Sequence, residues 1–229
     1  MTRVVLVTGA NRGIAGELAW QLALRGDAVA LTARELAKAE QAAALPGHGH
    51  LLARRLDVTD PASAQQVAAD LDRRYGRLDV LVDNAAIHYD TWQQASTADL
   101  QVIREALEVN LLGAWQTALT LLPLLRQSGQ GRIVNVSGEA GSLASMAGGP
   151  PAYTVSKVAL NALTSMLAGE LRLGRVLVNA VCPGWVATDM GGPGGRPVTE
   201  GAASVLGAVE LPDDGPTGGF YRDGHPLPW

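Results

Sequence analysis

The chain has 229 residues, 47% of them apolar, and its 18 basic and 22 acidic side chains leave a net charge of −4. The near balance of charge, with no basic block interleaved with aromatic residues, argues against nucleic acid or an anionic membrane as the main partner. No apolar run approaches the roughly 18 residues of a membrane span, so we predict a single soluble, cytoplasmic domain over residues 1–229.

Short β-branched runs alternate with longer segments of helical periodicity, which predicts βαβ units around a parallel sheet. The predicted strands cover residues 3–8, 28–33, 50–57, 78–83, 132–137, 176–182 and 218–222. The predicted helices cover residues 14–25, 35–45, 61–75, 97–125, 152–173 and 199–209, and Asp60 and Pro61 open the third as N-cap and first-turn proline. This order predicts an α/β protein with a doubly wound Rossmann fold, a seven-stranded parallel sheet and helices on both faces.

A glycine-rich turn, TGANRGIAGELA (8–19), joins the first strand to the first helix. Gly9 permits the tight turn, Gly13 lets the backbone approach a phosphate, and the helix N-terminus supplies unpaired amides. Ala15 replaces the third glycine of this fingerprint, a change that such motifs often tolerate. The position of the turn after the first strand of a βαβ series favours dinucleotide binding over an ordinary structural turn.

The end of the second strand indicates which dinucleotide is bound. Arg34 stands where an acidic residue would accept a hydrogen bond from a ribose 2′-hydroxyl, and Arg12 adds a second cation from the glycine-rich turn. Two arginines near the 2′ position of one ribose favour NADP(H). The alternative is that both arginines are ordinary solvated surface residues with no role in cofactor binding.

A tyrosine and a lysine four positions apart, Tyr153 and Lys157, end the segment VNVSGEAGSLASMAGGPPAYTVSK (134–157). This spacing places both side chains on one face of a helix, where an ammonium group favours the phenolate and makes the tyrosine a workable acid and base. Such pairs are also common on helix surfaces, so the spacing alone does not assign a catalytic role.

Six motifs together resemble the short-chain dehydrogenase/reductase family, in its carbonyl-reductase-like branch. They occur in the family's order and at its separations over essentially the whole chain, although the third has Asp-Asn-Ala-Ala where the family has Asn-Asn-Ala-Gly. The resemblance implies reversible hydride transfer between NADP(H) and a small-molecule ketone or aldehyde. The motifs are TGANRGIA (8–15), LDVTD (56–60), DNAA (83–86), NLLG (110–113), YTVSK (153–157) and PGWVATDM (183–190).

The resemblance also implies the roles of individual residues. Tyr153 is the acid and base, Lys157 tunes it and binds the nicotinamide ribose, and Asn110 distorts a helix and passes the proton onward through water. Asp57 holds the adenine, and Thr188 binds the nicotinamide carboxamide. The full predicted cofactor site is Gly9, Asn11, Arg12, Gly13, Ile14, Arg34, Asp57, Val58, Asn84, Ala85, Tyr153, Lys157, Pro183, Gly184, Val186 and Thr188.

Gly138 departs from the family pattern, in which two serines follow this strand and the second donates a hydrogen bond to the substrate carbonyl. Ser137 is adjacent but should face the opposite side of the strand, whereas Ser142 or a water could fill the place. Losing one such donor costs about 2.7–4 kcal/mol of activation free energy, so we predict reduced activity. Two alternatives stay open: a family member that only binds NADP(H), and altered non-redox chemistry that uses Glu139 or water.

The remaining residues of interest lie in loops. The segment 188–200 is predicted to be a mobile loop over the site, and the single cysteine, Cys182, a small buried residue at a strand end. No metal site is predicted, because His48, His50 and His225 lack partners at ligand spacing. The family commonly pairs two long helices, here 97–125 and 152–173, which implies a homodimer or homotetramer. Residues that could line the substrate pocket or simply pack are His88, Tyr89, Trp92, Met146 and Trp185.

Overall fold

The computed structural model describes residues 2–44, 51–88 and 90–229. Within them the strands form one sheet of order β3-β2-β1-β4-β5-β6-β7-β8. Strands β1 to β7 are parallel, and β8 runs antiparallel to β7. The strands are β1 (Val4–Val7), β2 (Ala28–Ala33), β3 (Leu51–Arg55), β4 (Val80–Asp83), β5 (Arg132–Val136), β6 (Leu177–Val181), β7 (Phe220–Arg222) and β8 (His225–Pro226).

The sheet therefore has one strand more than the seven predicted, and that strand is not parallel. Asp223 and Gly224 both have positive φ, 51° and 77°. This backbone is that of a two-residue hairpin turn, for which Asp-Gly is a favoured pair. The turn reverses the chain after β7, so that Arg222 pairs with His225.

Seven α-helices lie among the described residues. They are α1 (Gly13–Leu24), α2 (Leu36–Ala43), α3 (Pro61–Tyr75), α4 (Leu100–Leu107), α5 (Ala114–Gln127), α6 (Pro151–Leu171) and α7 (Val198–Val209). The predicted helix 97–125 is divided, because a π-helical segment (Glu108–Gly113) separates α4 from α5. The predicted end of the second helix at residue 45 and the predicted start of the third strand at residue 50 lie outside the described residues.

Helix α3 shows why the sequence folds locally as predicted. The side chain of Asp60 accepts a hydrogen bond from the backbone N–H of Ala62 at 3.0 Å, and Pro61 occupies the first turn, where no donor is needed. Gly76 ends the helix with a left-handed φ of 65°, which glycine adopts without a steric penalty.

The core consists of two apolar layers on opposite faces of the sheet. Helices α3, α5 and α6 cover one face, whose side chains include Leu6, Leu81 and Ile133. Helices α1, α2 and α7 cover the other, which includes Val7 and Val134. Because successive side chains on a strand alternate between faces, burial on both faces explains why these strands read as continuous apolar runs. The predicted doubly wound arrangement is confirmed.

The strand order reverses direction between β1 and β4. The connections on either side of this point lead away from each other, which leaves a crevice at the carboxyl ends of these strands. Ligands of open α/β sheets bind at such a switch point, and the glycine-rich turn after β1 lies there.

Candidate active site

A cavity of about 640 Å³ opens at the carboxyl ends of β1, β2, β4, β5 and β6. It brings together most of the residues that the sequence assigns to the site. Three of them, Asn110, Gly184 and Val186, do not line it. Those that do are Gly9, Asn11, Arg12, Gly13, Ile14, Arg34, Asp57, Val58, Asn84, Ala85, Tyr153, Lys157, Pro183 and Thr188.

The glycine-rich turn forms one wall of the cavity. Gly9 and Gly13 have positive φ values of 64° and 61°, so the tight turn needs glycine at both positions. A Cβ on Gly9 would lie 3.1 Å from the Cα of Ala85, which shows how closely this turn approaches the segment after β4. The hydroxyl of Thr8 ties the two segments together by accepting hydrogen bonds from the backbone N–H groups of Asn84 and Ala85.

The first turn of α1 also faces this wall. Its N-cap residue, Arg12, makes no side-chain cap, so the first amides of the helix have no side-chain acceptor at that position. Unpaired amides and the positive end of a helix dipole suit a phosphate group. This wall can therefore hold the pyrophosphate of a dinucleotide.

The two candidate arginines differ in their surroundings. Arg34 lines the cavity and makes no ion pair with any residue that the structure describes. Arg12 forms an ion pair with Asp189 in the loop after β6, with 2.6 Å between Nη1 and Oδ2. Their side chains are 71% and 74% exposed, and exposed pairs contribute at most about 1 kcal/mol. Sequence reasoning missed Asp189 as a partner of Arg12.

Tyr153 and Lys157 lie together in the cavity, one helical turn apart on α6. The Nζ of Lys157 donates a hydrogen bond to the carbonyl of Val136 at 2.7 Å and lies 5.6 Å from the centroid of the Tyr153 ring. Their common face is the one predicted from the spacing.

Burial controls the ionisation of both groups. It raises the pKa of Tyr153 to about 12, with a smaller contribution from Cys182. It lowers the pKa of Lys157 to about 8, although Cys182 and Asp83 act in the opposite direction. The pKa of Tyr153 is thus raised, and not lowered as the spacing predicts, because lost hydration is the largest cause of its shift. Tyr153 is a neutral phenol at pH 7, the form that can donate a proton.

Asp83 is a buried acid that sequence reasoning did not assign to a role. It ends β4, and neither of its carboxyl oxygens has a hydrogen-bond partner among the described residues. Burial raises its pKa well above the usual range, and the charge of Lys157 opposes this. The sequence signal was an acidic residue at the end of an otherwise apolar strand, in the first position of the DNAA motif.

Position 138 faces the tyrosine, as the resemblance predicts. A Cβ on Gly138 would lie 3.0 Å from the Tyr153 hydroxyl oxygen. The Ser137 hydroxyl is buried, has no partner among the described residues, and lies 3.0 Å from where a Cβ on Gly141 would be. The hydroxyl is therefore close to Gly141, and Ser137 is also one of the residues that line the cavity. Ser142 does not line the cavity, and its Oγ accepts a hydrogen bond from the Ser145 N–H at 3.3 Å.

Glu139 is turned away from the cavity. Its Oε2 accepts a hydrogen bond from Nη2 of Arg222 on β7 at 2.6 Å, and it is not one of the lining residues. Arg222 also donates to the sulfur of Cys182 at 3.3 Å, and Cys182 is buried at the end of β6 as predicted. This contact network holds the carboxylate at β7.

Asn110 lies in the π-helical segment between α4 and α5, so the predicted helix distortion is confirmed. Its side-chain oxygen accepts from the N–H of Ile87 at 2.8 Å. Its amide nitrogen donates to the carbonyl of Ile87 at 3.0 Å and to the hydroxyl of Ser156 at 2.9 Å. The side chain is buried behind the cavity wall, and its part in a proton relay remains a prediction.

The segment after β6 shapes the cavity from outside. Gly184 has a φ of 78°, and a Cβ there would lie 3.1 Å from Cδ of Arg196. Val186 is buried against Gly201 of α7. The segment 188–200, predicted as a mobile loop, is tied to the residues just before it by hydrogen bonds from Ala187 N to Arg196 O and from Trp185 Nε1 to Gly191 O.

Of the residues predicted either to line the substrate pocket or to pack, His88 lines the cavity and stacks on Tyr153, whereas Trp92, Met146 and Trp185 are exposed and do not line it. Tyr89, His48 and His50 lie outside the described residues. No cluster of potential metal ligands occurs in residues 2–44, 51–88 and 90–229. None of the helices described in these ranges has the length and apolar character needed to cross a membrane.

The fold and the motifs have clear relatives. The family model for short chain dehydrogenase matches residues 3–196. Salutaridine reductase of Papaver bracteatum is 31% identical over 293 residues, covering 96% of this chain and 94% of that protein. Carbonyl reductase (NADPH) 1 of Sus scrofa is 32% identical over 283 residues, covering 100% and 94%. Among solved structures, NADPH-bound carbonyl reductase from chicken fatty liver superposes with a TM-score of 0.89 at 30% identity, covering 100% of this chain and 99% of that one.

Proposed function

We propose that this chain, which belongs to the short-chain dehydrogenase family, reduces small-molecule ketones or aldehydes with NADPH. The glycine at position 138 lowers its turnover, because it lacks a hydrogen-bond donor. The chain is an oxidoreductase of this family, and its cofactor is NADP(H). The observation that carries the proposal is the meeting of Tyr153 and Lys157 in the same cavity as the glycine-rich turn.

The cavity walls suit an NADP(H) molecule. Gly9, Gly13 and the uncapped start of α1 offer a cradle for the pyrophosphate. Arg34 is available to a 2′-phosphate. Arg12 can contact the same phosphate if its ion pair with Asp189 breaks. The named NADPH-dependent relatives support this choice of cofactor.

When bound, NADPH would supply the hydride to the carbonyl carbon. Tyr153 donates its phenolic proton to the carbonyl oxygen, and the raised pKa keeps that proton in place at neutral pH. The product alcohol carries both hydrogens. Lys157 holds its charge next to the phenolate that remains, and a proton from solvent restores the tyrosine.

Gly138 is the reason to expect slow turnover. No side chain at this position donates a second hydrogen bond to the carbonyl oxygen. The Ser137 hydroxyl lies near Gly141, and Ser142 does not line the cavity. One missing donor of this kind lowers turnover by about 10²–10³.

A second candidate function, NADP(H) binding without turnover, is favoured by the same glycine. The orientation of Glu139 toward Arg222 argues against the third possibility, non-redox chemistry at an altered site.

Turnover assays separate these candidates. NADPH consumption is measured with a panel of aryl and alkyl ketones for the unmodified protein and for Tyr153→Phe. We expect turnover in the former and none in the latter, with the NADPH dissociation constant nearly unchanged, because the substitution removes the transferable proton and little else. If the protein binds NADPH but consumes no ketone, the second candidate function, cofactor binding without turnover, is supported. Turnover that survives in Tyr153→Phe would disprove the assigned acid.

We also propose that the protein is a homodimer or homotetramer. Apolar side chains of α5 and α6, Leu119, Val155 and Met166, are each roughly half exposed. These are the helices corresponding to the pair that the family commonly uses for association.

A further inference from the structure

Helix α6 begins without a side-chain cap from its own sequence. Its N-cap residue is Pro150, which makes no such hydrogen bond. The backbone N–H of Ala152 donates instead to Oδ2 of Asp90 at 2.6 Å. Asp90 is only 1% exposed, and a carboxylate at a helix N-terminus meets both unpaired amides and the positive end of the dipole. Asp90 therefore fixes the first turn of α6, in which Tyr153 follows Ala152 directly.

His88 holds the tyrosine ring itself. The imidazole and phenol rings stack with 4.4 Å between centroids and 29° between planes. Burial lowers the pKa of His88, which Asp90 opposes and Lys157 reinforces, so the imidazole is neutral at pH 7. The contact is thus aromatic packing between neutral rings. At the hydroxyl end of the phenol, by contrast, Gly138 offers no side chain.

His88 and Asp90 lie in one stretch of chain, which is also anchored at Ile87, just before His88. Ile87 exchanges two backbone hydrogen bonds with the Asn110 side chain, at 2.8 and 3.0 Å. Asp90 is anchored to α6 by its bond to Ala152. His88 lies between these two fixed points, which accounts for its defined position over the tyrosine.

From this arrangement we infer that His88 and Asp90 are positioning residues for Tyr153, one stacking on the phenol and the other capping the helix that carries it. The inference rests on the proposed reductase function. The segment after β4, through His88 and Asp90, thus positions the proton donor Tyr153. Residue 138, a glycine, contributes no side chain to this positioning.

Two matched pairs of variants test the inference by turnover. His88→Ala removes the ring and His88→Phe keeps it; Asp90→Ala removes the acceptor and Asp90→Asn keeps one. We expect kcat to fall about 10- to 100-fold in both alanine variants, because a displacement of about 1 Å at the reacting groups has that effect. The phenylalanine and asparagine variants should lose far less. The dissociation constant for NADPH should stay nearly unchanged in all four variants, and KM in the two Asp90 variants, which a general loss of structure would not allow.

Amide hydrogen exchange tests the cap without relying on activity. Exchange at Ala152 should accelerate in Asp90→Ala and much less in Asp90→Asn, while His88→Ala should leave it unchanged. Equal kcat in His88→Ala and His88→Phe, or equal kcat and exchange in the two Asp90 variants, would overturn the inference. If Asp90→Ala fails to fold, the His88 pair still decides. If the unmodified protein shows no turnover, the reductase function is refuted. Amide exchange at Ala152 would still show whether Asp90 caps α6.

Discussion

A side chain at position 138 would point at Tyr153, because a Cβ there would lie 3.0 Å from the tyrosine hydroxyl oxygen. We predict that Gly138→Ser raises kcat for a ketone by up to about 10²–10³, the amount that one oxyanion donor supplies. The contact is tight, so the phenol must move by a few tenths of an ångström to admit the new atom. Steady-state turnover with saturating NADPH measures the effect.

Gly138→Ala is the matched control for this substitution. It adds the same Cβ against Tyr153 without a hydroxyl, so it reports the steric cost alone. Ala140→Ser adds a hydroxyl two residues further along and should change little. If Gly138→Ser is no faster than Gly138→Ala, the glycine is a shape feature of the pocket and not a missing catalytic group. NADPH affinity should stay constant, because the donor serves the substrate.

The two arginines should contribute unequally to cofactor choice. Arg34→Asp should weaken NADPH binding about tenfold or more, since a charge-assisted contact to a 2′-phosphate contributes about 1.5–3 kcal/mol. Arg12→Ala should cost less, because Arg12 must first leave Asp189. Dissociation constants of NADPH and NADH for each variant measure both effects. Equal constants for the two cofactors in the unmodified protein would contradict this assignment.

Among the secondary-structure elements, the order of strands and helices could be predicted because local periodicity and caps determine it. Asp60, Pro61 and Gly76 delimit α3 in the sequence as they do in the structure. The final hairpin was missed although Asp223-Gly224 is a turn signal, because β8 has only two residues. Helical periodicity continues through 97–125, whereas the π-helical break contains Asn110, whose side chain bonds Ile87, a residue 23 positions away.

The junction of the π-helical segment with α5 packs closely against Val58. A Cβ on Gly113 would lie 2.7 Å from Cγ2 of Val58, a residue that lines the cavity. We expect Gly113→Ala to lower the free energy of unfolding by about 1–3 kcal/mol, as overpacking does. By displacing Val58, it should also weaken NADPH binding. Urea unfolding and cofactor titration measure the two effects.

Gly169→Ala in α6 is the control for the same chemical change. Nothing lies within 4 Å of a Cβ at that position. Because alanine favours the helix over glycine, this variant should gain up to about 1 kcal/mol of stability. A stable Gly113→Ala protein with normal NADPH affinity would show that Val58 adapts without cost.

For the whole molecule, the local backbone of the glycine-rich turn could be predicted, whereas contacts between distant parts of the chain could not. The glycine-rich turn is local, so its sequence indicates its backbone. Stacking of His88 on Tyr153, pairing of Glu139 with Arg222 and pairing of Arg12 with Asp189 all join distant parts of the chain. The alignments to the two reductases are longer than this chain, so those proteins contain segments without a counterpart here. The shape of the substrate pocket therefore does not follow from them.

Exposed apolar side chains on α5 and α6 suit association of two or more chains. Val155 and Met166 are eleven residues apart, about three turns, and therefore share one face of α6. Together with Leu119 on α5 they leave apolar surface exposed, which marks interaction sites when it is contiguous. We expect light scattering after size exclusion to give two or four times the chain mass of 23.8 kDa. Leu119→Glu and Met166→Glu should shift the protein toward the single-chain mass, because each buries an unpaired charge in the interface. Leu173→Glu, at the most exposed apolar position outside these helices, should not. A single-chain mass for the unmodified protein at every concentration tested would rule out the proposed oligomer.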